Sequence, residues 1–358
     1  MKGTLLVRRT LILLAAAAAA LAFAVPAGAS APAVTAATDA TTIENTMRGA
    51  LGDSYGHYWI DGDKVVVGVT NPSRADAVRA MGAEPRLVKN SAAKLDGIKA
   101  NFDRQWTKPP AGVASWGVDV LTNSVVIYVA GTDPKAHAFA NAARAGHDGV
   151  RVEQIAEAYQ PYWNIIGGQA IYTGGSRCSA GFNARTASYR YVITAGHCTN
   201  IGSSWSGVGG TLGTRAGTSF PTNDYGIIRV TTSSAVSTPY VDRYSSGSDV
   251  RVTGASSAAT GQAICRSGST TGWRCGSVTA TNQTVCYSQG CVYQMIRTNA
   301  CAQPGDSGGS MVSNPGSGST VTAKGLTSGG SGNCSTGGTT FFQPVPEVLS
   351  RYGLTLYT

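Results

Sequence analysis

The first 177 residues of this 358-residue chain contain no cysteine, whereas all eight, from Cys178 to Cys334, lie beyond them. That asymmetry marks two units with different requirements. Lysine is also scarce late in the chain, where Lys324 is the only one after Lys135. The formal charge of +9 overstates basicity, because Lys2, Arg8 and Arg9 belong to an N-terminal leader. No basic cluster and no interleaved aromatic stripe occur, which argues against a nucleic-acid partner. There is no Cys-x-x-Cys spacing of the kind that builds metal sites, so neither metal nor cofactor is called for. Nor is there an apolar run of the ~20 residues that a membrane span needs.

The longest such run, from Leu11 to Val25, is broken at Pro26. With its positive residues in front and Ala27-Gly28-Ala29 behind, it reads as a secretory signal peptide, residues 1–29, cleaved after Ala29. The product is then exported and soluble, with no membrane partner once the leader is gone. An even number of cysteines in an exported chain reads as disulfides.

Residues 30 to about 40 are rich in Ala, Thr and Ser and read as disordered. From Thr42 to about Gln160 the pattern mixes helix and strand. Tyr58-Trp59-Ile60 and Lys64 to Val69 flank the hairpin signal Asp61-Gly62-Asp63. Ala92 to Trp106 carries Leu95, Ile98 and Phe102 at helical spacing. Ser115 to Asp119 and Val125 to Val129 read as two strands around a turn. Later the chain is glycine-rich, with short runs such as Tyr191 to Thr194, Tyr225 to Val230 and Val292 to Ile296 between turn residues. Short strands at regular spacing predict an antiparallel barrel or sandwich, and only Val345 to Tyr352 reads as helix there.

The chemistry concentrates in Pro304-Gly305-Asp306-Ser307-Gly308-Gly309-Ser310, where a glycine-rich turn can leave backbone N–H groups aimed at a substrate oxygen. Serine is a poor nucleophile at neutral pH, so the motif has chemical meaning only with a base and an orienting carboxylate. Val192 to Cys198 offers His197 as the base, and Asn223 to Ile228 offers Asp224 as the carboxylate. Each alone has a duller reading, as a plain turn or a structural histidine. Their joint order of His, Asp, Ser is that of chymotrypsin-like enzymes; subtilisin-like and α/β-hydrolase enzymes use other orders.

From about residue 165 the chain resembles the streptogrisins, secreted chymotrypsin-like proteases, and more distantly α-lytic protease. Ile166-Gly167-Gly168 with Ala170-Ile171-Tyr172, Thr194 to Cys198, Cys301 to Ser307, and Gly325 to Cys334 carry the resemblance. It implies an all-β protease domain, residues 163–358, of two antiparallel six-stranded β-barrels with the active site between them. It also implies pairs Cys178 with Cys198, Cys265 with Cys275, and Cys301 with Cys334. Cys286 and Cys291 remain for each other and depart from the streptogrisin pattern. Residues 30–162 are similar to the α+β pro-regions of the α-lytic group, which help the protease fold and then block its cleft. A separate binding domain is the plainer alternative. Cleavage after Tyr162, or one or two residues later, would release the mature enzyme.

On that resemblance Ser307 attacks the carbonyl, His197 moves the proton, Asp224 holds the imidazole, and the N–H groups of Gly305 and Ser307 form an oxyanion hole. The implied pocket walls are Ala302-Gln303-Pro304, Ser328-Gly329-Gly330 and Thr339 with Thr340. The position that carries aspartate in trypsin-like enzymes is Cys301, and the histidine of glutamate-specific relatives is replaced by Thr327. Gln303 stands where the nearest streptogrisins are expected to carry Glu. A self-processing, extracellular, monomeric endopeptidase that cleaves after Phe, Tyr, Leu or Met follows, with polypeptides and its own pro-region as partners. A catalytically dead binding protein and an esterase are the alternatives.

Overall fold

The structure is a computed structural model that describes residues 33–358, so the leader and its cleavage point lie outside the described residues. The chain divides into two compact units, Met1–Tyr159 and Gln160–Thr358.

The first unit repeats one topology, a helix, two antiparallel strands, a helix, and a third strand parallel to the second. In its first copy the helix Ala40–Leu51 precedes strands Tyr55–Asp61 and Lys64–Val69, then helix Ala75–Ala80 and strand Glu84–Leu87. In its second copy the helix Ala92–Gln105 precedes Val113–Asp119 and Ser124–Ala130, then helix Pro134–Gly146 and strand Val150–Ile155. Capping residues mark three of the helix starts: Asp39 accepts from the N–H groups of Thr41 and Thr42, Ser91 from Lys94, and Asp133 from Lys135. Ile43, Met47 and Leu51, four residues apart, pack on Val65, Val67 and Val69, which share one face of their strand. The second copy closes a separate core of Leu95, Phe102, Val125, Ile127 and Val129.

One expectation fails here. Residues 33–39 are ordered: Val34 is buried in the first core and its N–H donates to Met81 O at 2.8 Å. A single valine supplies what the Ala/Thr/Ser composition conceals.

The second unit is built from strands, as the alternating short runs predict. One eight-stranded sheet includes Ser176–Ser179, Arg190–Thr194, Gly210–Ser219 and Tyr225–Val230. A nine-stranded sheet includes Ala263–Gly268, Gly272–Tyr287, Gly290–Thr298, Ser310–Ser313, Thr320–Asn333 and Gly337–Pro344. The strand numbers exceed the expected six apiece, and short segments are among the additions, Thr355–Leu356 in the first sheet and Trp163–Gly167 at the edge of the second. Nor is pairing wholly antiparallel: Trp163–Gly167 runs parallel to Ala235–Val241, and Val250–Ala255 parallel to Thr320–Asn333. Besides the helix Val345–Tyr352, a helical turn at Gly196–Thr199 and a 3-10 turn at Tyr244–Ser246 interrupt the strands.

Four disulfides close in this unit: Cys178–Cys198, Cys265–Cys275, Cys286–Cys291 and Cys301–Cys334. Among the described residues no helix is long and apolar enough to cross a membrane.

Candidate active site

Register brings the base and the carboxylate together. Strands Arg190–Thr194 and Tyr225–Val230 pair antiparallel with Thr194 opposite Gly226, so the end of one lies beside the start of the other. His197, three residues past that pair, and Asp224, two residues before it, therefore leave the sheet at the same edge. His197 Nδ1 lies 2.8 Å from Asp224 Oδ2, and the His197 backbone N–H donates to Asp224 Oδ1 at 2.9 Å. Two bonds from one residue fix the ring's position and leave Nε2 turned away from the carboxylate.

Asp224 is fully buried, and its carboxylate is satisfied from a third side by Ser328, whose hydroxyl donates to Oδ2 at 2.5 Å. A buried carboxylate without such partners would cost several kcal/mol in desolvation. The Asp224 N–H donates to Gln343 Oε1 at 2.8 Å, and the Gln343 amide donates to Glu347 Oε2 at 2.7 Å. Burial holds the Glu347 carboxyl above its usual range, with the Gln343 bond opposing.

Ser307 comes from the other sheet, on the loop between Gly290–Thr298 and Ser310–Ser313. Its turn is held by Asp306, a fully buried carboxylate that accepts from the N–H groups of Thr270 (2.9 Å), Thr271 (3.0 Å) and Gln303 (2.9 Å). The fully buried Arg266 pairs with it at 3.3 Å and also donates from Nε to Cys301 O at 2.8 Å. Burial pulls the Arg266 guanidinium below its ordinary value, and Asp306 works against that. Gly308 N donates to Thr327 O at 2.7 Å, and Thr327 N donates to Gly309 O at 2.9 Å, which ties the turn to the strand Thr320–Asn333.

Two positions in this turn have the positive φ that favours glycine. Gly305 has φ +96, a conformation other residues rarely adopt, and Gly308 has φ +82 with Thr194 Oγ1 only 1.9 Å from where a Cβ would stand. In the resulting shape the N–H groups of Gly305 and Ser307 have no hydrogen-bond partner among the described residues. Two free donors in one turn can receive a developing negative charge. The Ser307 backbone C=O accepts from Ser179 N at 2.8 Å, and Cys198 Sγ lies 3.8 Å from it and 3.7 Å from His197 Nε2. The Cys178–Cys198 bridge thus borders both the imidazole and the serine. No hydrogen bond joins Ser307 Oγ to His197 among the described residues; in ligand-free sites that bond is commonly long and tightens with substrate.

The remaining residues named from the sequence are placed as follows. Gly329 and Gly330 lie on the strand Thr320–Asn333, with Gly330 opposite Thr340 and Ser331 opposite Thr339. The Cys301–Cys334 bridge ties the segment Ala302-Gln303-Pro304 to the end of that strand. The Ser328 hydroxyl donates to Asp224, and the residue also lines the cleft beside His197.

Sequence reasoning missed Arg266, Gln343, Phe220, Tyr287 and Gln289. Phe220, Tyr287 and Gln289 line a cleft of about 140 Å³ together with His197 and Ser328. The His197 and Phe220 rings meet edge to face, 5.7 Å between centroids. Tyr287 Oη lies 3.0 Å from Ser328 Oγ, and burial pushes its phenol up. Only Asp306, inside the serine motif, carried a local signal.

One test belongs to this geometry. Arg266→Met leaves Asp306 buried without its cation, which is expected to destabilise the protease unit by about 3 kcal/mol. Urea unfolding would show the midpoint falling, and an unchanged midpoint would mean the N–H donors suffice.

Comparison with known proteins gives a family for each unit. A family model described as Alpha-lytic protease pro N-terminal matches residues 27–88, and Alpha-lytic protease prodomain matches residues 90–149. The model described as Trypsin matches residues 165–351. Serine protease 1 of Streptomyces fradiae is 42% identical over 348 residues, covering 93% of this chain and 94% of that protein. Streptogrisin-A of Streptomyces griseus is 51% identical over 249 residues, covering 69% of this chain and 78% of that protein. A solved structure described as a glutamic acid specific serine protease that utilizes a histidine triad in substrate binding is 51% identical, with a TM-score of 0.50, and covers 54% of this chain and 100% of that one. The chain belongs to the trypsin family as a streptogrisin-like, chymotrypsin-fold serine endopeptidase preceded by an alpha-lytic-type prodomain.

Proposed function

We propose that the protein is an exported endopeptidase in which Ser307 is the nucleophile, His197 the general base and then acid, and Asp224 the group that holds the imidazole. The observation that carries this reading is the pairing of His197 Nδ1 with a buried, fully bonded Asp224, next to a serine turn with two free N–H donors. Ser307 Oγ adds to the peptide carbonyl as its proton passes to His197 Nε2. The oxyanion rests on the N–H groups of Gly305 and Ser307, and the proton then goes to the departing amine. Water repeats the sequence on the acyl-enzyme with the same groups. An ester would enter the same site, but nothing in the geometry favours esters over peptides.

The preferred residue on the acyl side of the cut is large and apolar. Ala302, Gln303, Pro304, Gly329, Gly330 and Thr339 include no charged group, and the substrate backbone can add as a strand along Ser328 to Gly330. Identity to relatives does not decide this point, since Streptogrisin-A and the glutamic acid specific protease match equally well, at 51%. Histidine does. Of the four histidines, His57, His137 and His147 precede Gln160, and the protease unit keeps only His197, so a second histidine is not available to bind an acidic side chain. Peptide-library profiling is expected to give kcat/KM values about a hundredfold or more higher after Phe, Tyr, Leu or Met than after Glu or Lys. Comparable rates after Glu would sink the assignment.

Residues 1–29 act as the export signal, 30–162 as the pro-region, and 163–358 as the mature enzyme, released by its own activity. Tyr162 is 79% exposed and would suit the apolar pocket, while Trp163 N already donates to Ser234 O at 2.9 Å. N-terminal sequencing of the secreted product locates the cut.

A further inference from the structure

The Cys286–Cys291 bridge closes a loop at the tip of the hairpin formed by Gly272–Tyr287 and Gly290–Thr298, where Cys286 stands opposite Cys291 in register. Inside that loop lie Tyr287 and Gln289, both of which line the cleft beside His197. Outside it the tip is seated on the segment that leads to Asp224. Thr222 N donates to Cys291 O at 2.9 Å, Tyr293 N donates to Thr222 O at 3.0 Å, and a Cβ on Gly290 would stand 2.8 Å from Pro221 Cγ. Tyr287 Oη in turn meets Ser328 Oγ, the donor to Asp224.

We propose that this bridge is a specificity device: it holds the hairpin tip so that Tyr287, with Phe220, presents a rigid apolar wall to the substrate residue that precedes the one in the main pocket. The proposal rests on the triad reading above. Successive side chains of an extended peptide point to opposite faces. When one side chain enters the pocket between Ala302-Gln303-Pro304 and Gly329-Gly330, the preceding one faces the cleft between His197 and Tyr287. That cleft has space for one modest apolar side chain, about 140 Å³. The backbone bonds to Thr222 hold only the Cys291 side of the tip, and the cross-link carries that restraint to Cys286 and Tyr287 before substrate arrives.

The experiment compares the full-length chain, expressed and self-processed, with its C286A/C291A variant on three substrates. N-acetyl-tyrosine ethyl ester occupies only the main pocket. Two succinyl-tripeptide anilides ending in Phe carry either Pro or Gly immediately before it. For the wild type the Pro substrate is expected to have kcat/KM about tenfold above the Gly substrate. In the double variant that ratio falls to about threefold or less, while ester turnover stays within about twofold. An unchanged ratio in a variant that still cleaves the ester overturns the proposal. A C286T/C291V variant, which keeps cross-strand packing without the bond, is read in the same way. If neither variant yields folded protein, the bridge serves folding rather than selection, and the proposal is likewise overturned. Failure of the wild type to turn over any of the three would instead count against the triad reading.

Discussion

Ser307→Ala is expected to lower kcat by about 10⁴-fold or more and to leave the full-length precursor uncut. The reason is local. The substitution removes one oxygen and leaves the Asp306 anchor, the Arg266 ion pair and the free N–H groups of Gly305 and Ser307 in place. Residual turnover would come from binding and the oxyanion hole alone. Denaturant stability should stay close to wild type, which separates lost chemistry from lost fold. On the proposed self-processing, one variant reports twice, in a peptide assay and as the size of the accumulated chain. Retained cleavage with wild-type kinetics would remove Ser307 from its role.

Deleting residues 30–162 while keeping the leader is expected to give a protease unit without measurable activity, and supplying that segment as a separate chain is expected to restore it. The argument is kinetic. The protease unit depends on strands joined across long stretches of sequence, with Ser310–Ser313 pairing to Ala263–Gly268, Val250–Ala255 to Thr320–Asn333, and Trp163–Gly167 to Ala235–Val241. Non-local pairing is slow, because the entropy of closing long loops is lost before contacts return it. The first unit carries no such burden. Its two copies of one short topology pair neighbouring strands and close separate small cores, so it can fold first and act as a template. Active enzyme recovered from residues 163–358 alone, at the yield of the full chain, would contradict this role.

What could be read from the sequence was the chemistry that sits in short motifs. Pro304 to Ser310, Val192 to Cys198 and Asn223 to Ile228 each hold a reactive group inside a turn or at a strand end, and turn residues are local signals. The hairpin at Asp61-Gly62-Asp63 and the helix from Ala92 were legible for the same reason. What could not be read depends on pairing over distance. Arg266 follows Ile264-Cys265 and precedes Ser267, and it looks like the outward residue of a strand, yet it is fully buried against Asp306, 40 positions on by the numbering. Gln343 reaches the Asp224 backbone, and Tyr287 reaches Ser328, by contacts that no periodicity encodes. The parallel pairings and the added edge strands arise from tertiary closure. Val34 shows the opposite error, since composition averaged over ten residues hides one anchoring side chain.

The central claim is that Ser307 is the atom donor that becomes acylated, and covalent labelling tests it most directly. The processed protein would be treated with a diphenyl phosphonate bearing a phenylalanine side chain, digested, and mapped by mass spectrometry. The account predicts one adduct per molecule, on Ser307, absent from a His197→Ala variant and blocked by a peptide substrate. Label on another residue, or stoichiometric loss of activity with Ser307 unmodified, would contradict it.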